Sequence, residues 1–162
     1  MLILGVDPGT ARLGWGTIKE KKGDQTLGHY GCIQTPKTDP EPLRLKKLYN
    51  QFVKLIKIHK PDAIAVEDLF FFKNQKTIIK VSQARGVILL ASELQKVPTF
   101  SYTPLQIKQA VTGYGRADKN QVSQMTKSIL KLDAIPKPDD AADALAVALT
   151  HAFSYKTNLK IS

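Results

Sequence analysis

The chain has 162 residues, which favours one domain, and its 43% hydrophobic content is enough for an ordinary packed core. Lysine and arginine total 24 against 14 acidic residues, so the formal net charge of +10 favours a polyanionic partner, nucleic acid before an anionic membrane surface. No apolar run approaches the roughly 20 residues that span a bilayer, the N-terminus does not resemble a signal peptide, and Cys32 is the only cysteine. We therefore expect a cytoplasmic protein without a disulfide, a thiolate zinc site or a membrane partner.

Three strands are predicted at the N-terminus. Residues 2–6 form an apolar run, the pattern of a buried strand, and Pro8-Gly9 breaks this strand directly after Asp7. Residues 13–20 and 26–35 are extended in pattern, so the three strands are expected to form an antiparallel meander. Because the first run does not alternate between polar and apolar residues, its strand is expected to be central in the sheet.

Helices and strands alternate in the rest of the chain. The predicted elements are, in order, helix 43–60, strand 63–66, helix 74–96, strand 98–102, a helix from 103, helix 118–132 and an alanine-rich helix 139–153. This order predicts an α/β fold with a mixed five-stranded sheet, three antiparallel N-terminal strands plus parallel strands, flanked by helices. We expect one domain over 1–155 and a short flexible tail over 156–162.

Carboxylates follow two of the buried strands. Asp7 ends the first strand and Glu67 ends the strand over 63–66. If the two strands are parallel neighbours, both side chains emerge at the same edge of the sheet, where α/β proteins place their sites. The alternative for Asp7 is that it only satisfies the amides of a tight turn.

Asp140 and Asp143 form a second pair, three residues apart at the start of the last helix, so they share a face. Taken alone, such a pair is typical of acids that cap a helix and complement its dipole. Four carboxylates in one cleft, however, stay charged only if cations lie between them. Oxygen ligands favour Mg²⁺ or Mn²⁺, and two such ions about 3.5–4 Å apart cleave phosphodiesters.

Several motifs together resemble the RuvC family of Holliday-junction resolvases. The motifs are Asp7-Pro8-Gly9, Gly14-Trp15-Gly16, Glu67 before Phe70-Phe71, Gln83-Ala84-Arg85-Gly86 and Asp140-Ala141-Ala142-Asp143-Ala144. They extend over residues 3 to 151 in the family's order and spacing.

The resemblance implies a ribonuclease H-like nuclease that resolves four-way DNA junctions by paired symmetric nicks during recombination and repair. It implies a homodimer, two Mg²⁺ ions per active site with Mn²⁺ as a substitute, and the branch-migration proteins RuvA and RuvB as partners. Asp7, Glu67, Asp140 and Asp143 match the family's catalytic, metal-binding acids.

Residues that bind the DNA are expected around these acids. The resemblance favours Phe70, with Phe71 beside it, as a wedge that stacks on unpaired bases, although burial in the core is the alternative for either ring. The other candidates for contact with DNA are Lys73, Lys76, Lys108, Tyr114, Arg116 and Lys119. For each lysine, the alternative is an ordinary solvated charge.

Three other functions stay open from the sequence. An actin-like ATPase or sugar-kinase lobe also begins with a strand followed by Asp, Gly and Thr, as Asp7, Gly9 and Thr10 do here, but needs a second lobe. A non-catalytic nucleic-acid-binding module would use the four acids only as caps. A related nuclease could act on ribosomal RNA precursors.

Overall fold

The computed structural model describes residues 1–69 and 75–161, with residues 156–161 described by backbone alone. The described strands are β1 Leu2–Asp7, β2 Arg12–Lys21, β3 Asp24–Gln34, β4 Ala63–Glu67 and β5 Thr99–Tyr102. The described helices are α1 Glu41–His59, α2 Gln75–Leu94, α3 Pro104–Thr112, α4 Lys119–Ile129 and α5 Asp139–Ile161. The strands form one mixed five-stranded sheet, as predicted, and their order in it is β3-β2-β1-β4-β5.

The first strand is central, which confirms the prediction from its unbroken apolar run. It pairs antiparallel with β2 and parallel with β4. Ile3 belongs to the core on one face of the sheet, whereas Leu4 and Val6 belong to the core on the other. A strand with apolar side chains on both faces needs cover on both, and only a central position provides it.

Two helical layers supply that cover. Helices α3, α4 and α5 contribute the core on one face, where α5 provides Leu145 and Leu149. Helices α1 and α2 contribute the core on the other face, with Phe52 and Ile88 fully buried. This three-layer arrangement leaves the carboxyl ends of β1 and β4 at one edge, beside the start of α5.

Helix α5 approaches the sheet unusually closely because two glycines allow it. A Cβ atom on Gly5 would collide with the carbonyl oxygen of Ala144, and one on Gly14 would collide with the carbonyl oxygen of Asp140. Small residues on the helix make the same contact possible from the other side, as Ala144 and Ala148 are fully buried. The glycines therefore fix where the first turn of α5 lies relative to β1 and β2.

Some boundaries differ from the sequence prediction. Helix α5 continues to Ile161 rather than ending at 153, because residues 154–161 contain no proline or glycine that would stop it. Leu94, the last residue of α2, is exposed although it is apolar. Among the described residues, no helix combines the length and apolarity needed to cross a membrane.

Candidate active site

Asp7 and Glu67 meet at one edge of the sheet. They are the last residues of β1 and β4, and the parallel pairing of these strands reaches Val6 opposite Val66, one residue before each acid. Their side chains share a hydrogen bond. The expectation that parallel neighbours bring both acids together is thus correct.

The start of α5 brings the second pair of acids to the same place. Gly14 pairs with Asp7 across β1 and β2, and the backbone of Asp140 packs directly on Gly14. Asp143 follows one turn later. The charges of Asp140 and Asp143 both act on Asp7, so the four carboxylates, 136 residues apart along the chain at the extremes, form one electrostatic cluster.

The cluster is strongly unfavourable for ionised carboxylates. Burial, followed by the charges of Glu67 and Asp143, raises the pKa of Asp7 from 3.8 to about 8. Burial also raises the pKa of Glu67, although the hydrogen bond with Asp7 opposes that rise. Asp7 therefore holds a proton at neutral pH and donates it to Glu67.

Two cations contact the acids of α5. Lys119 Nζ lies 2.8 Å from Asp143 Oδ2, and Arg12 Nε lies 3.1 Å from Asp140 Oδ2. Burial raises the pKa of Asp143, and the hydrogen bond from Lys119 opposes this rise. The same contact raises the pKa of Lys119. Arg12 and Lys119 thus neutralise part of the negative charge of the four carboxylates.

The donor set fits a divalent metal ion. All four groups are carboxylates, which supply the oxygen ligands that Mg²⁺ and Mn²⁺ prefer. The proton on Asp7 reduces the negative charge of the cluster, as a bound cation would. In the described part of the chain, no three acidic, histidine or cysteine side chains already converge on one metal position. Arg12 and Lys119 occupy the Oδ2 atoms of Asp140 and Asp143, so these contacts must open before those oxygen atoms can serve as ligands.

The predicted DNA-contacting residues fall into three groups. Lys108 and Lys119 line a cleft of about 210 Å³ together with Glu67 and Asp143, next to the acids. Tyr114 and Arg116 are exposed in the loop between α3 and α4, and Lys76 is exposed in the first turn of α2. Phe70, Phe71 and Lys73 lie outside the described residues.

Two arginines near the site form ion pairs. Nη2 of Arg85 lies 3.1 Å from Oδ1 of Asp68, the residue that follows Glu67. The contact between Arg12 and Asp140 was missed, since nothing in the spacing of these residues indicates it. His151 is buried and its Nδ1 is hydrogen-bonded to the hydroxyl of Tyr102 at 2.8 Å, which agrees with a packed histidine rather than a metal ligand.

The fold matches that of structure-specific DNA nucleases. The yeast mitochondrial Holliday junction resolvase superposes with a TM-score of 0.73 over 98% of this chain and 80% of that chain, at 13% identity, a similarity of fold alone. RuvC of Thermus thermophilus, solved in complex with a Holliday junction substrate, gives a TM-score of 0.92 over 98% of this chain and 96% of that chain, at 36% identity. The class is therefore that of ribonuclease H-like resolvases.

The family follows from the sequence comparisons. The profile of the crossover junction endodeoxyribonuclease RuvC family matches residues 3–151. The crossover junction endodeoxyribonuclease RuvC of Desulfitobacterium hafniense is 55% identical over 155 residues, which cover 95% of this chain and 93% of that protein. The chain belongs to the RuvC family of crossover junction endodeoxyribonucleases, a family whose members depend on a divalent metal ion.

Proposed function

We propose that this chain resolves four-way (Holliday) DNA junctions by paired symmetric nicks during homologous recombination and DNA repair. The observation that carries the proposal is the family match over residues 3–151, combined with four carboxylates at one edge of the sheet. A strongly basic chain that gathers four acids at one edge of its sheet is suited to cutting a polyanion, since basic residues attract the DNA backbone and the acids hold the cations.

We assign catalysis and metal binding to Asp7, Glu67, Asp140 and Asp143. Two Mg²⁺ ions, with Mn²⁺ as a substitute, suit the site because their four positive charges balance four carboxylates. When bound, such ions supply an activated water and stabilise the leaving oxygen of a phosphodiester.

The chain's own residues prepare the site for these ions. Asp7 must lose the proton that it shares with Glu67, and Asp140 and Asp143 must leave Arg12 and Lys119. The freed ammonium of Lys119 then remains in the cleft, where a backbone phosphate provides its new partner.

We assign DNA contacts to eight residues around the acids. Lys108 and Lys119 have the strongest support, because they line the cleft that Glu67 and Asp143 also line. Phe70 and Phe71 are assigned to stacking on unpaired bases by resemblance to the family. The remaining assignments, to backbone or base contacts, are Lys73, Lys76, Tyr114 and Arg116.

We further propose one nuclease domain over 1–155 with a short tail over 156–162, a cytoplasmic location, RuvA and RuvB as partners, and a homodimer. The exposed apolar side chains of Ile79, Leu90 and Leu94 on α2 support the dimer, since each is more than half exposed in the single chain. A two-fold dimer matches the near two-fold symmetry of a four-way junction.

A substrate panel tests the function. Synthetic four-way junctions, linear duplex and structured RNA are incubated with the protein, with and without Mg²⁺. We expect paired nicks in the junction only, and only with the metal ion. Equal cutting of duplex, cutting of RNA alone, or junction cutting in excess EDTA would each overturn the proposal.

A further inference from the structure

A groove lined by cationic side chains lies beside the candidate active site. It has a volume of about 580 Å³, and its lining includes Gly9 and Thr10, which directly follow the turn after Asp7. Four of the lining residues are cationic, namely Arg12, Lys37, Arg44 and Lys80. Among the described residues that line the groove, none is acidic or aromatic. The groove thus offers positive charge without a flat surface on which a base could stack.

Arg44 gives this groove an unfilled binding position. The residue is only 7% exposed, and its Nε donates a hydrogen bond to Thr35 Oγ1 at 3.0 Å. Its Nη2 is buried and has no hydrogen-bond partner in the described part of the chain. Glu41 does not meet this need, because its Oε2 lies 4.0 Å from Arg44 Nη1 and its Oε1 is itself without a described partner. A buried N–H donor without an acceptor is energetically costly, so an anion that reached Nη2 of Arg44 would gain a hydrogen bond that the chain does not make.

A chain of hydrogen bonds connects Arg44 to the turn that carries Asp7. The hydroxyl of Thr35, which accepts from Arg44, donates to the carbonyl oxygen of Thr10 at 2.6 Å. The hydroxyl of Thr10 in turn donates to the carbonyl oxygen of Lys80 at 2.9 Å. Thr10 and Thr35 are both buried. A ligand bound by Arg44 would therefore be held at a fixed position relative to the turn after Asp7, because these hydrogen bonds connect the two.

We propose that this groove binds a backbone phosphate of the DNA strand that is cut, next to the phosphate that is cleaved. Arginine presents paired donors that match a phosphate, and the lysines at the rim add charge without selecting a base. The first turn of α2 contains no acidic residue, so no carboxylate of that turn opposes an anion near Thr77. The inference rests on the proposed function and adds a second anchor that sets the register of the strand in the active site.

Two exposed lysines of the groove provide the first test. Binding of a fluorescent four-way junction to the full chain is measured by anisotropy, in Ca²⁺, over a series of salt concentrations. The double variant Lys37→Gln/Lys80→Gln should bind about tenfold more weakly at low salt, with the slope of log Kd against log salt reduced by about 1. The matched control is Lys54→Gln/Lys57→Gln, which removes two exposed lysines of α1 outside the groove and should behave as wild type.

Arg44 is tested against single neutralised phosphates. Methylphosphonate is placed at each position of the cut strand in turn, and binding is compared for wild type and Arg44→Lys. We expect one position near the cut at which neutralising the phosphate weakens junction binding by wild type severalfold but does not change junction binding by Arg44→Lys. If Arg44→Lys does not fold, the Lys37→Gln/Lys80→Gln variant takes its place in the same scan. Equal losses for wild type and variant at every position would overturn the proposal.

Two further outcomes separate the possible failures. Inorganic phosphate is titrated into wild type and into Lys37→Gln/Lys80→Gln, and thermal unfolding is followed. Suppose that millimolar phosphate protects wild type but not the variant, while both bind the junction equally well. The groove would then be a site for the free ion, and the assignment to DNA would be overturned. If wild type cleaves junctions but the double lysine variant keeps the wild-type Kd and salt slope, this inference alone fails. If wild type neither binds nor cuts junctions, the proposed function fails.

Discussion

Replacing Asp7 by asparagine should make the metal-free protein more stable. Folding raises the pKa of Asp7 from 3.8 to about 8, so at pH 7 the folded chain holds a proton that the unfolded chain has released. Stability therefore falls as the pH rises through this window, which is the reverse of the usual behaviour of a carboxylate. Asparagine removes the titrating group and leaves a neutral donor that can serve Glu67.

The size of the effect follows from the same pKa. Holding the proton costs about 1.4 kcal/mol for each pH unit between 3.8 and 7, or about 4 kcal/mol in all. Water in the open cleft reduces this figure, and we expect about 2 kcal/mol, which raises Tm by about 4–8 °C for a chain of this length.

Thermal unfolding in EDTA at about pH 7.5 and about pH 4 provides the assay. We expect the full stabilisation at the higher pH and much less at the lower, because pH 4 lies close to the unfolded pKa of 3.8 and the unfolded chain is then partly protonated as well. The control is Asp133→Asn, an exposed acid whose replacement should leave Tm unchanged at both values. An unchanged or lower Tm for Asp7→Asn at pH 7.5, or an equal rise at pH 4, would refute the reasoning.

Three further outcomes are expected. Binding of Mg²⁺ at pH 7 should release about one proton, since Asp7 with a pKa of about 8 must ionise; calorimetry in buffers of different ionisation enthalpy measures this number, and zero release would contradict it. Arg12→Gln should tighten Mg²⁺ binding severalfold in the absence of DNA, because Arg12 competes for Asp140; weaker binding in the same titration would show that the arginine does not compete. Gly14→Ala should destabilise the chain by about 3 kcal/mol or more and abolish cutting, because the added Cβ displaces the first turn of α5. The control Gly86→Ala, which adds a Cβ in open space on α2, should be neutral or stabilising. Denaturant unfolding compares the two variants, and similar curves would mean that the close approach of α5 is not required.

Much of the fold could be predicted from the sequence because the central strands and the helix starts each have a local residue pattern that identifies them. The unbroken apolar run before Asp7 requires cover on both faces, which fixes β1 in the middle of the sheet. The acid at the end of β4 then falls beside Asp7 through parallel pairing alone. The predicted helices that start at 103 and 118 begin as expected, because Thr103 and Asp118 are the N-caps of complete capping boxes.

Contacts between distant side chains were not accessible in this way. The pairing of Arg12 with Asp140 depends on how closely α5 lies on β2, and hence on Gly14, which the sequence shows only as one of several glycines. His29 and His59, which are 30 residues apart in the sequence, have ring centroids 5.3 Å apart because β3 and the end of α1 come together. The exposure of Leu94 likewise depends on how much of the apolar stripe of α2 the sheet covers, which periodicity alone does not determine.

The central claim is that four carboxylates work together as one metal-dependent cutting centre. The most direct measurement is the single-turnover cleavage rate of a four-way junction in Mg²⁺ for Asp7→Asn, Glu67→Gln, Asp140→Asn and Asp143→Asn, with junction binding measured for each. We predict that every variant binds the junction and that every cleavage rate falls by about a thousandfold or more. A variant that is folded, binds normally and still cuts at the wild-type rate would contradict the claim.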